Sequence, residues 1–154
     1  MTNFYIFQGG PENLRWWLKN DEYHRDHQSF WSANKHVRPS DVVFIYLTAP
    51  LSRIVGTVSV LGDPFFNPRA NSMFLNPHML EKWCVEVGYP FYFGDHEELK
   101  LSNLRRLFGA DWGWVRYPRG NTRIPNEIVS PFLELISPFC DKLAIRISPP
   151  EVKI

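Results

Sequence analysis

The chain has 154 residues, 44% hydrophobic and 21% charged, and its 17 Lys and Arg nearly balance 16 Asp and Glu for a formal net charge of +1. That length suits one hydrophobic core, and that balance excludes both an intrinsically disordered chain and a protein that coats nucleic acid by bulk charge. The departure from average lies in the rings: six Trp, six Tyr and 12 Phe make 16% of the residues, more than packing alone asks of a domain this size.

The N-terminal MTNFYIFQGG has neither a basic n-region nor a long apolar run, so no signal peptide or membrane span is read there and a cytoplasmic protein is expected. Residues 3–8, NFYIFQ, predict a first strand ended by Gly9-Gly10. Pro11 suits a first helical turn, and Leu14, Trp17 and Leu18 at i, i+3 and i+4 predict a short helix over 11–20. The polar DEYHRDHQ, 21–28, reads as exposed connection. Its His24 and His27, flanked by Asp21, Glu22 and Asp26, could chelate a metal on a helix, but such runs are ordinarily solvated surface, and no metal or cofactor is expected. In HQSFWSANKH, 27–36, Trp31 stands among the small and polar Ser29, Ser32, Ala33 and Asn34, in a pattern of neither amphipathic helix nor alternating strand.

Arg38-Pro39-Ser40-Asp41 is a turn signal, and VVFIYL, 42–47, is a continuous apolar run fit for a strand buried on both faces. RIVGTVSVL, 53–61, alternates after the Pro50 turn, and the two runs predict a hairpin. Residues 62–80 hold three prolines and three asparagines and read as a long loop carrying Phe65, Phe66 and Phe74. KWCVEVGYPFYF, 82–93, resumes strand character, and Leu101, Leu104, Leu107 and Phe108 predict a helix over 98–108. Ser130-Pro131 looks like a helix start, with Ser as N-cap and Pro at N1, and Ala144 to Ile147 like a last strand. The sum is an α+β chain of five or six strands and three short helices.

GxSxG, Walker, HExxH and GxGxxG patterns are all absent, which removes direct support for the common hydrolases and nucleotide enzymes. Cys84 and Cys140, far apart and outside any CxxC pattern, read as two buried free thiols. What carries chemistry is aromatic and basic. Trp31 offers a stacking face beside the hydroxyl of Ser32 and the amide of Asn34, with Lys35 and Arg38 in reach of a phosphate. Trp112 and Trp114, followed by Arg116, Arg119 and Arg123, repeat the combination. The competing reading puts Trp31 in the core and the arginines in solvent.

The order of segments resembles the EVE domain family of the PUA-like β-barrel superfamily, with a fainter likeness to YTH domains. NFYIFQGG matches the opening strand and helix-leading turn, PSDVVFIYLTAPLSRIVGTVSV the paired strands, KWCVEV a Trp-Val-x-Val strand, and RIPNEIVSPFLELI the closing strand, turn and helix. The likeness spans most of residues 3–136. It implies a PUA-like β-barrel with short flanking helices, one domain over 1–154, and a nucleic-acid-binding module, DNA or RNA, that recognises a modified, methylated base, without a membrane partner and with any effector on a separate protein. Trp31-Ser32-Ala33 is similar to the Trp-Ser-Thr that supplies a cage ring in YTH domains. By that analogy Trp31, Ser32 and Asn34 line the base pocket, its second wall coming from Phe65, Phe66, Phe74, Trp112 or Trp114, and Lys35, Arg38, Arg116, Arg119 and Arg123 hold phosphates. Two readings compete with this one: an ASCH-like hydrolase of modified nucleosides using Glu86, Thr57 and Lys82, and a protein-interaction module. The expectation is a binding module, not an enzyme.

Overall fold

The computed structural model describes residues 2–67 and 81–140. Seven strands form one curled mixed sheet in the order β2-β6-β4-β3-β1-β7, with β5 paired to β6 beside β4. At its centre lies β3 (Val42–Leu47), all six residues buried, as its unbroken apolar run dictates. It runs parallel to β1 (Phe4–Gly9) from the Phe4–Val42 pair to the Gly9–Leu47 pair, and antiparallel to β4 (Arg53–Val60) from Val42–Ser59 to Leu47–Arg53. The expected hairpin is therefore present. A parallel β1–β3 pair needs a long crossover. Here it consists of a 3-10 turn (Pro11–Asn13), α1 (Leu14–Trp17), α2 (Asp21–Asp26) and β2 (Ser29–Ser32).

The sheet is buried on both faces, which is why its central strands show little alternation of polarity. On one face Phe4, Ile6, Phe44, Tyr46 and Ile54 meet Leu104 and Phe108 of α3 (Leu101–Phe108), Trp114 of α4 (Gly113–Arg116) and Phe132 of α5 (Asn126–Ile136). On the other, Tyr5, Phe7, Val43, Ile45, Val58, Val85 and Val87 meet Trp17 and Trp31. Gly56 in β4 is fixed by close approach. A Cβ there would sit 2.1 Å from the Phe91 carbonyl oxygen and 2.8 Å from Cζ3 of Trp17, whose ring lies over the strand.

The long β6 (Lys82–Tyr92) serves two neighbourhoods. Its first half pairs with β2 on one side and with β5 (Phe65–Asn67) on the other, and its second half pairs with β4. Between the halves Tyr89 takes φ +48°, a left-handed conformation where the strand bends after Gly88.

Several expectations change. The Trp31 segment is a strand, because pairing with β6 from Ser29–Val87 to Ser32–Cys84 overrides its weak local pattern. Residues 21–26 are helical, with Asn20 as N-cap accepting from the Tyr23 N–H at 2.8 Å. The last helix starts at Asn126, after Pro125 and not at Ser130, so Pro131 lies inside it on an exposed position while Ile128, Phe132 and Ile136 face the core. The strand count among the described residues is seven, including β5 inside the expected loop and the two-residue β7 (Thr122–Arg123). Phe74 and the expected strand at Ala144 to Ile147 lie outside the described residues. Cys84 and Cys140 are both buried, as expected.

Candidate nucleic-acid interface

The two ends of the sheet, β2 and β7, come back to each other, and side chains join them. Asn121, next to β7, accepts the Gln8 N–H of β1 at 3.0 Å and donates through Nδ2 to the Ser32 carbonyl at 2.8 Å and the Ser32 hydroxyl at 3.2 Å. Asn34 returns the contact, its Nδ2 donating to the Asn121 carbonyl at 3.0 Å while its Oδ1 accepts from the His36 N–H at 2.9 Å. Trp31 Nε1 donates to the Gln8 carbonyl at 3.3 Å. The ring needs Gly9: a Cβ there would lie 2.7 Å from Trp31 Cζ2 and 3.1 Å from Asn13 Nδ2. A Trp, two asparagines and a serine thus close the barrel along a seam.

The seam carries positive charge. Lys35 and Arg38 lie exposed just past β2, and Arg119 and Arg123 lie exposed on either side of Asn121. The Arg38 guanidinium is folded against its own turn, Nη1 donating to the carbonyls of Lys35 at 3.0 Å and Val37 at 2.8 Å. Burial, then the nearby Asp41, raises the Tyr5 hydroxyl above its ordinary value, while Arg123 and Arg38 both pull it down. Both cations therefore act on one buried phenol, and the two basic segments that are far apart in sequence form one rim.

Other predicted residues do not converge there. Trp31 is 7% exposed and packs beside Trp16 at 6.1 Å between centroids, so it offers no open stacking face. The reason is its register: directly across from buried Val85, it points into the core. Trp112 and Trp114, stacked at 5.5 Å, are buried in the core on the opposite face of the sheet, where α3 and α5 cover them, so they cannot share a cage with Trp31. Phe65 pairs with Cys84 on the face away from Trp31 and packs edge-on against Phe30 at 5.9 Å. Arg116 is held at the end of α3 through Nη1 to the Gly109 carbonyl at 2.6 Å, away from the seam.

A separate cavity of about 720 Å³ opens between α2 and the bend of β6, lined among others by Asp21, His24, His27, Glu86, Tyr89 and Phe91. His24 packs edge-on against Trp16 at 4.7 Å, and burial lowers its imidazole below the ordinary 6.5. His27 instead stacks on Tyr23 at 4.0 Å, so the two histidines do not converge, and no group of three metal-ligating side chains occurs among the described residues. Glu86 lines this cavity, but the other members of the Lys, Thr, Glu set do not assemble with it. Thr57 is buried across from Phe91, and Lys82 lies nine residues up β6 from Phe91, about 30 Å of strand path at about 3.3 Å per residue.

Sequence reasoning missed Asn121, Asn13 and Gly9 as site residues. Gly120-Asn121 reads only as turn chemistry, and nothing local says that the Asn amide spans from β1 to β2.

Neither a scan of family models nor a search of curated proteins finds a match. Solved structures do match. Protein Atu2648 from Agrobacterium tumefaciens is 13% identical at TM-score 0.60, over 86% of this chain and 90% of that one. The ASCH protein of Zymomonas mobilis is 14% identical at 0.54 over 86% and 95%, and human THYN1, solved in complex with 5-methylcytosine-containing DNA, is 11% identical at 0.52 over 86% and 96%. At such identities the likeness is one of fold: a curled, mixed-sheet, PUA-like barrel with short helices.

Proposed function

We propose that the protein is an EVE-like nucleic-acid-binding module that recognises a modified, methylated base at the Trp31 seam. One observation carries the reading: Asn121 joins the aromatic, amide-rich Trp31–Asn34 stretch to the basic 119–123 stretch, so base-reading and phosphate-binding chemistry share one rim. Human THYN1, of the same fold, was solved with 5-methylcytosine-containing DNA, which supports a nucleic-acid partner. Because Trp31 is buried, a base reaches its ring only when the side chains that close the seam part. Ser32, Asn34, Asn13 and Asn121 then present hydroxyl and amide groups to the base edge, and Lys35, Arg38, Arg119 and Arg123 take the flanking phosphates.

Magnitudes constrain this mechanism. Stacking a base on a ring contributes about 1–3 kcal/mol and extruding it from a duplex costs a few, so phosphate contacts must supply the rest. Burying one methyl contributes only about 0.8 kcal/mol, so selectivity requires a closed site that also penalises the unmodified base. The test is titration with matched oligonucleotides, modified and unmodified. Trp31→Ala is expected to abolish the preference for the modified base, whereas Arg119→Ala weakens both ligands alike and reduces the salt slope by about one. Unchanged discrimination by a folded Trp31→Ala protein would overturn the reading. Turnover of N-acylated nucleosides by the wild type would favour the hydrolase reading instead, to which the ASCH-like fold and the Glu86 cavity lend support.

A further inference from the structure

We propose that Trp83 and Phe66 form a second stacking platform, which holds the nucleotide next to the recognised base. The inference rests on the nucleic-acid reading above and adds a site to it. One step past the Ser32–Cys84 pair, the Ala33 N–H donates to the Trp83 carbonyl at 2.9 Å, and Trp83 is in register with Phe66 on its other side. Side chains two apart on a strand share a face, so Trp83 sits beside Val85 on the face of Trp31, as its diagonal neighbour, and Phe66 continues the row. Exposure rises outward along this row, from 7% at Trp31 to 39% at Trp83 and 49% at Phe66.

Two adjacent large rings left half in water on a sheet face are not performing core packing. Their edge-to-face contact, centroids 6.0 Å apart at 71°, supports both rings before a ligand arrives, so stacking would cost little ordering. Ala33 across from Trp83 is too small to cover the indole. Beyond the end of β2, Lys35 supplies an exposed positive charge, and Lys82, the chain neighbour of Trp83 with its side chain on the strand's other face, adds another at the strand's start. Aromatic faces open to water, flanked by cations and continuous with the Trp31 seam, match the chemistry of a single-stranded nucleic acid, whose every base has a stacking face and whose backbone is anionic.

The experiment measures binding of the full chain to a thymidine homopolymer of about 15 nucleotides and to the modified and unmodified oligonucleotides, at several salt concentrations. Trp83→Ala and Phe66→Ala are each expected to weaken all three ligands roughly tenfold, leaving the modified-to-unmodified ratio and the salt slope intact, and Trp83→Phe is expected to restore most of the loss. Wild-type affinity in folded Trp83→Ala and Phe66→Ala proteins would overturn the platform while leaving the Trp31 reading standing. A lowered salt slope would assign the loss to phosphate contacts and overturn it equally. Failure of the wild type to bind any of the three would remove the nucleic-acid reading and the platform with it.

Discussion

Replacing Asn121 by Ala tests whether side chains close this barrel. The substitution removes the acceptor for the Gln8 N–H at 3.0 Å and the donor to the Ser32 carbonyl at 2.8 Å, leaving two main-chain groups of different strands without those partners. A fully buried orphan group costs about 1–3 kcal/mol. Both bonds are only part-buried, so water recovers some of that loss and about 1 kcal/mol each is the working figure, or about 2 kcal/mol together. In a domain of this size that lowers Tm by about 4–8 °C. Thermal and urea unfolding measure it, and Asn34→Ala, which cuts the reciprocal bond, should couple with it non-additively by at least about 0.5 kcal/mol. If Asn121→Ala moved Tm by less than about 1 °C and showed no coupling to Asn34, the seam would be held by core packing alone and the clasp would be incidental.

Two further perturbations probe the frame behind the seam. Gly56→Ala forces a methyl to within 2.1 Å of the Phe91 carbonyl oxygen, a main-chain atom in a neighbouring strand. Because a ladder cannot move aside as a side chain can, the cost should approach about 3 kcal/mol, and Trp17→Leu in the same chain should not relieve it; an unchanged urea midpoint would contradict this account. For His24, burial depresses the folded-state imidazole below 6.5, so as the pH falls the unfolded chain takes up a proton before the folded one does. Its contribution is therefore complete above about pH 7 and declines as the pH drops through 6.5 toward the lower folded value. His24→Phe should show a smaller Tm difference between about pH 7.5 and pH 5.5 than the wild type, and equal differences would assign the acid sensitivity to other groups.

How much of this was legible in the sequence depended on whether the determinant was local. The β3–β4 hairpin was readable because six consecutive apolar residues and a following alternation leave few other structures for those segments. The strand identity of Trp31 was not, since its partner Val85 lies 54 positions away and a four-residue strand gives no period to detect. Trp112 and Trp114 misled for a related reason. Rings interleaved with arginines look like a ligand face, yet the arginines turn outward while α3 and α5 supply apolar surface that draws both indoles into the core. Arg38 and Arg123 were each identified as phosphate-binding candidates, but their common rim is a product of Asn121, whose sequence context announces only a turn.

The side-chain seam also governs how the barrel opens. Among the described residues the ends β2 and β7 are not joined by a strand ladder, so parting them costs a handful of asparagine bonds and the Trp31 contact, while the central pairings of β3 stay intact. The Gln8 amide proton, whose acceptor is the Asn121 side chain, should consequently exchange with solvent through a sub-global opening, well before those of β3, which wait for complete unfolding. The protein would then reveal the Trp31 ring without losing its fold.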